Sequence, residues 1–147
     1  MDAGPPRPPP RRLTGLAGLL AALRTLGLFG PASGADQRLQ SFVADDGQPI
    51  PVRVLGQGSP VVLVHGLGCS HRVWLPVARR LGRRHRVLAW DARGHGHGVV
   101  PPGKPITLQR LALDLRQMIE HYQLERPCLV GHSMGALTVM QYLHDHG

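Results

Sequence analysis

A chain of 147 residues holds one ordinary domain, and 42% hydrophobic content is enough for a packed core, which excludes a chain disordered throughout. The formal charge of +8 comes from 17 basic against 9 acidic residues, and every basic residue except Lys104 is an arginine; with 19 Gly and 14 Pro, that skew fits the codon bias of a GC-rich genome. A basic surface attracts phosphates, but the densest run, Arg79 to Arg86, straddles a predicted helix end whose negative pole suits cations, and no aromatics interleave to stack bases. Nucleic acid is therefore not an expected partner.

Residues 1–38 read as a leader. Residues 1–12 are rich in Pro and Arg, Leu13 to Leu23 is uncharged, and Ser33-Gly34-Ala35 offers small residues of the kind a signal peptidase accepts. Arg24 closes the apolar run early and five prolines crowd the basic region, so an unstructured leader, a signal peptide and a membrane-surface helix all remain open. No stretch reaches the roughly 18 to 20 uncharged residues of a membrane span. A cytoplasmic location is expected, with export through the signal-like N-terminus as the alternative.

From Leu39 the pattern becomes regular. Leu39 to Val43 and Ile50 to Leu55 are β-prone runs flanking the turn signal Asp45-Asp46-Gly47, which joins them as a hairpin. Pro60 to Val64 is a continuous apolar run, as in a strand buried on both faces. Val73 to Leu81 reads as a helix and Arg86 to Trp90 as a strand. Leu108 to Tyr122 reads as a helix with Leu108, Leu111, Leu115, Met118, Ile119 and Tyr122 on one stripe and Thr107 as N-cap. Pro127 to Gly131 is a further buried strand, and Met134 to His146 a final helix with Leu137, Met140, Tyr142 and Leu143 apolar. A hairpin followed by alternating strands and helices gives an α/β fold whose parallel strands are joined by crossover helices.

Cys69 and Cys128 stand alone, without metal-ligand spacing, and Cys128 is expected as a small buried hydrophobe within its apolar run.

Gly131-His132-Ser133-Met134-Gly135 matches G-x-S-x-G between a strand and a helix. A serine hydroxyl attacks an acyl carbon only if a base takes its proton and nearby donors stabilise the oxyanion. A sharp turn there projects Oγ above the sheet, the flanking glycines keep side chains clear, and the helix starting at Met134 aims its positive pole at the developing charge. His65-Gly66-Leu67-Gly68 follows the earlier buried strand, where a second oxyanion donor belongs. The expected donors are the backbone N–H groups of Leu67 and Met134, with His65, Gly66, Gly131 and Gly135 supporting the motif.

Together with Trp74, Asp91-Ala92-Arg93-Gly94-His95-Gly96 and Asp114-Leu115, these residues resemble the α/β-hydrolase superfamily, of the esterase, lipase and cofactor-free haloperoxidase-like kind. The resemblance runs from about residue 39 to 147 and covers the N-terminal half of that fold. It implies a serine hydrolase of carboxylic esters, lactones or thioesters working through an acyl-enzyme at Ser133, with a small-molecule ester-type substrate and no cofactor. Serine in the elbow argues against the resembling epoxide hydrolases and haloalkane dehalogenases, which use Asp there. The resemblance also makes the Asp91 loop structural and gives His65 the role of holding the oxyanion loop rather than of a base. Trp74 is expected to pack near the pocket. A metal at His95 and His97 is not expected, because no carboxylate or third His accompanies them at ligand spacing.

The same families place the triad acid and histidine on later strands, beyond residue 147. His144 and His146 lie about three helical turns past Ser133, on the order of 16 to 20 Å, too far to share a proton. The chain is accordingly expected to be a fragment without esterase turnover of its own, its last strand an exposed edge. The rival reading is a non-catalytic binding or interaction protein that keeps the elbow as a relic.

Overall fold

The computed structural model describes residues 39–100, 103 and 105–147, so the expected leader over 1–38 lies outside the described residues. Strands β1 (Leu39–Val43) and β2 (Pro49–Leu55) form the expected antiparallel hairpin, closed by Ala44 N–H to Gln48 O at 2.9 Å and by Gly47 at φ 80°. Strands β3 (Ser59–Val64), β4 (His85–Trp90) and β5 (Cys128–Gly131) are parallel. The sheet order is β1-β2-β4-β3-β5, and β2 joins antiparallel to β4, with Val52 opposite Trp90.

Alternation along β3 and β4 explains the layers. Val62, Val64, Leu88 and Trp90 point to one face, where Leu111, Leu115 and Met118 of helix α2 (Leu108–His121) cover them. Val61, Leu63, Val87 and Ala89 point to the other face, against Ala78 of helix α1 (Leu75–Leu81). Because both faces are covered, β3 needs apolar residues at consecutive positions, and Val62 and Leu63 are fully buried. Helix α3 (Met134–His146) lies on the α2 side and packs Met134, Val139 and Tyr142 on the first cluster.

Four strands start one residue away from expectation, at Pro49, Ser59, His85 and Cys128, and other boundaries and burials differ as well. The helix expected from Val73 is divided into a 3₁₀ turn, His71–Trp74, and α1, whose first turn holds Pro76, a residue with no N–H to leave unpaired. The Thr107 cap forms as expected, its Oγ1 accepting from Arg110 N at 3.1 Å, and α2 ends one residue early at His121. Cys128 is exposed rather than buried, because β5 pairs only with β3 among the described residues. Of the apolar α3 residues, Leu137, Met140 and Leu143 stand 51%, 65% and 55% exposed, while Thr138 is buried. No helix among the described residues is long and apolar enough to cross a membrane.

Candidate active site

The elbow is built by two consecutive constraints. His132 N–H donates to Val64 O at 3.0 Å, which ties the end of β5 to the end of β3. Helix α3 then starts at once, with Ala136 N–H and Leu137 N–H donating to Ser133 O at 2.8 and 3.2 Å. Between them Ser133 is held at φ 52°, ψ −122°, a conformation costing an L-residue on the order of 1–3 kcal/mol. The two flanking glycines are sterically required. A Cβ on Gly131 would lie 2.5 Å from Gly135 O, and one on Gly135 would strike the carbonyl oxygens of Val64 and His65. Ser133 is exposed, and its hydroxyl makes no hydrogen bond among the described residues.

The segment after β3 comes up beside this turn. A Cβ on Gly66 would lie 2.9 Å from His132 Nδ1 and 3.2 Å from Ser133 Cβ, so only glycine leaves the approach open. Ala92 N–H donates to His65 Nε2 at 3.0 Å, which makes Nε2 the acceptor. The ring proton therefore sits on Nδ1 and is donated to Gly66 O at 2.8 Å. Burial, the largest influence on this ring, holds its pKa below the ordinary histidine value and keeps it neutral. His65 thus braces the loop, with both nitrogens engaged away from Ser133. Leu67 N–H and Met134 N–H, the latter in the unpaired first turn of α3, make no hydrogen bond among the described residues. Leu67 is 73% exposed.

The Asp91 loop supports the site from behind. Arg93 is buried between two carboxylates: Nε and Nη2 meet Asp114 at 2.5 and 2.8 Å, and Nη1 and Nη2 meet Asp46 at 2.7 and 2.9 Å. Arg110 adds Nη2 contacts to Asp114 at 2.6 Å and Asp45 at 2.8 Å. Hydrogen bonding from Arg93 holds the Asp46 carboxyl well below the usual range, and hydrogen bonding to Asp114 holds the Arg93 guanidinium charged. The sequence reading missed this network as a unit. Its signal was Asp114, a carboxylate within the apolar stripe of α2, where an unpaired charge is untenable.

Trp74 packs half-buried against the cluster of Leu55, Val61, Leu63, Ala78, Val87 and Ala89, as expected of a packing residue. His144 and His146 lie at the far end of α3, the former 83% exposed on its side chain, and a hollow of about 370 Å³ lined by Arg116, Glu120, Tyr142 and His146 opens there, away from Ser133. Arg79, Arg80, Arg83 and Arg84 are exposed. His97 departs from expectation. A carboxylate and a second histidine do accompany it, because the fold brings Asp91 and His71 to it with donor atoms all within 4.8 Å of one another.

A family profile described as the alpha/beta hydrolase fold matches residues 59–147. RutD of Yersinia enterocolitica, named for a proposed carbamate hydrolase activity, is 37% identical over 99 residues, covering 63% of this chain and 35% of that protein. Among solved structures, the esterase EaEST of Exiguobacterium antarcticum is 30% identical with a TM-score of 0.71, covering 75% of this chain and 41% of the esterase. The esterase RhEst1 of Rhodococcus sp. ECU1013 is 32% identical with a TM-score of 0.69, covering 76% of this chain and 42% of the esterase. The chain thus spans about two fifths or less of the length of these relatives.

Proposed function

Because this chain belongs to the alpha/beta hydrolase fold family, we propose that Ser133 is the nucleophile of a hydrolase that opens carboxylic esters, lactones or thioesters through an acyl-enzyme. One observation carries the reading: a serine in a strained, left-handed turn, exposed, directly before a helix N-terminus and against a glycine loop that leaves its approach clear. Maintaining a strained serine there costs stability, and attack by a projecting Oγ gives the strain a purpose.

In this mechanism Oγ adds to the acyl carbon as a base takes its proton, and the carbonyl oxygen becomes an oxyanion. The N–H groups of Leu67 and Met134 stabilise that oxyanion; removing one such donor typically costs about 10²- to 10³-fold in kcat. The tetrahedral intermediate collapses, the alcohol or thiol leaves with the proton from the base, and water then releases the acid by the same steps reversed. The esterase names of EaEST and RhEst1, and the carbamate hydrolase activity for which RutD is named, support a carboxylic ester or related substrate. Ser133 has no hydrogen bond to an imidazole among the described residues, and we expect the 147-residue chain on its own to show no turnover.

Fluorophosphonate labelling tests the proposal, on this chain and on any longer form in which it occurs. Labelling at Ser133, lost in Ser133→Ala, is expected. Absence of labelling in every form would leave a binding protein with a relic elbow. Hydrolysis of p-nitrophenyl acetate by the 147-residue chain, abolished by Ser133→Ala, would overturn the inactivity.

A further inference from the structure

The two buried aspartates beside β4 are treated differently by the fold. Asp114 is met by two guanidinium groups, Arg93 and Arg110. Asp91 is equally buried, yet its hydrogen-bonding partners are His71 and His97 alone, and no arginine or lysine pairs with it among the described residues. Both of its oxygens are taken up by these two histidines, through their backbone N–H groups and their ring Nδ1 atoms. A buried carboxylate flanked by two imidazoles, with no arginine or lysine beside it, is a donor set that suits a metal ion.

We propose that His71, Asp91 and His97 form a zinc site. His71 Nδ1 lies 2.9 Å from Asp91 Oδ1 and His97 Nδ1 lies 3.0 Å from Asp91 Oδ2. Tetrahedral ligands bound at roughly 2.0 to 2.2 Å are separated by about 3.3 to 3.6 Å, so each histidine–carboxylate pair has to open by only a few tenths of an ångström, and the three donor atoms lie within 4.8 Å of one another. The backbone is preset as well, because His71 N–H and His97 N–H donate to the same two oxygens at 2.6 and 2.9 Å and fix both ligand positions. The His97 side chain is 51% exposed and gives an ion a way in, while the His71 side chain is 2% exposed and closes the inner side. Two imidazole nitrogens and one carboxylate suit Zn²⁺ over Mg²⁺ or Ca²⁺, and three protein ligands leave a position for water.

For an Nδ1 lone pair to reach zinc, the proton that this nitrogen shares with Asp91 must leave it, moving to Nε2 or to solvent. The ion would fasten His71, five residues beyond Gly66, to the loop after β4 and so stiffen the segment beside Ser133.

Zn²⁺ titration of the purified chain against a chromophoric chelator tests the site, with His97→Ser as the main variant because serine keeps the backbone donor and a small polar contact to Asp91. One equivalent bound with micromolar or tighter affinity is expected, weakened at least about tenfold in His97→Ser and unchanged in the His144→Ala/His146→Ala double variant. Co²⁺ should give visible ligand-field bands that His97→Ser loses, while circular dichroism of the metal-free variant matches that of the parent. Affinity equal in parent and His97→Ser, or lost with the terminal histidines instead, would overturn the proposal.

Discussion

Arg93 meets Asp114 at two points, 2.5 and 2.8 Å apart, and thereby fixes the loop after β4 to the middle of α2 with almost no exposure of either side chain. Removing the guanidinium takes from Asp114 one of its two arginines and from Asp46 its two-point contact with Arg93. Arg93→Ala should cost about 3–5 kcal/mol of unfolding free energy. Arg93→Lys should recover only part of it, because one ammonium cannot reproduce a planar fork that grips two carboxylates. Urea unfolding of the three proteins measures this; a lysine variant as stable as the parent would refute the two-point account.

The strain at Ser133 predicts an inverse relation between stability and reactivity. Ser133→Gly relieves φ 52°, ψ −122°, and after the entropy glycine adds to the unfolded chain, the net gain should be on the order of 1 kcal/mol. Ser133→Ala keeps the strain and should show no such gain. Thermal melts of both variants decide the point.

Gly135→Ala should destabilise by about 1–3 kcal/mol, because its Cβ would press on the carbonyl oxygens of Val64 and His65, which are backbone and cannot rotate aside. Chemical denaturation measures the loss, and an unchanged midpoint would contradict the packing described.

His65 predicts a pH dependence. Its folded pKa lies below the ordinary value of 6.5, so the unfolded chain takes up a proton that the folded one resists. The contribution is fully present above about pH 6.5 and is lost as pH falls below it toward the folded pKa. Stability should therefore decline from pH 7 to pH 5, less steeply in His65→Asn than in the parent. Parallel slopes in the two proteins would argue against it.

The strands, their order in the chain and the elbow were legible because each is written locally. The run Pro60 to Val64 declares burial on two faces, and G-x-S-x-G declares a turn no other residues would tolerate. The Arg93 network and the His71, Asp91 and His97 cluster were not legible as units, since each needs a partner from a distant part of the chain, His71 lying 20 residues from Asp91 and Arg93 lying 21 from Asp114. Cys128 and Leu137 misled for a related reason. Apolar character states what a residue would prefer to touch, whereas burial also requires a neighbour, and the outer edge of β5 and the outer side of α3 have none among the described residues.

The pairing of the hairpin turn with Arg93 has a kinetic meaning. Asp46 and Arg93 are 47 residues apart, and their contact depends on β2 finding its register on β4. Closing so long a loop comes late relative to forming a helix or a hairpin, so this ion pair is expected to follow both. Interactions made after the folding barrier act mainly on the rate of opening. Asp46→Ala should therefore act as the loss of a latch, quickening the opening of the sheet, with the serine turn at its edge, more than it slows its assembly.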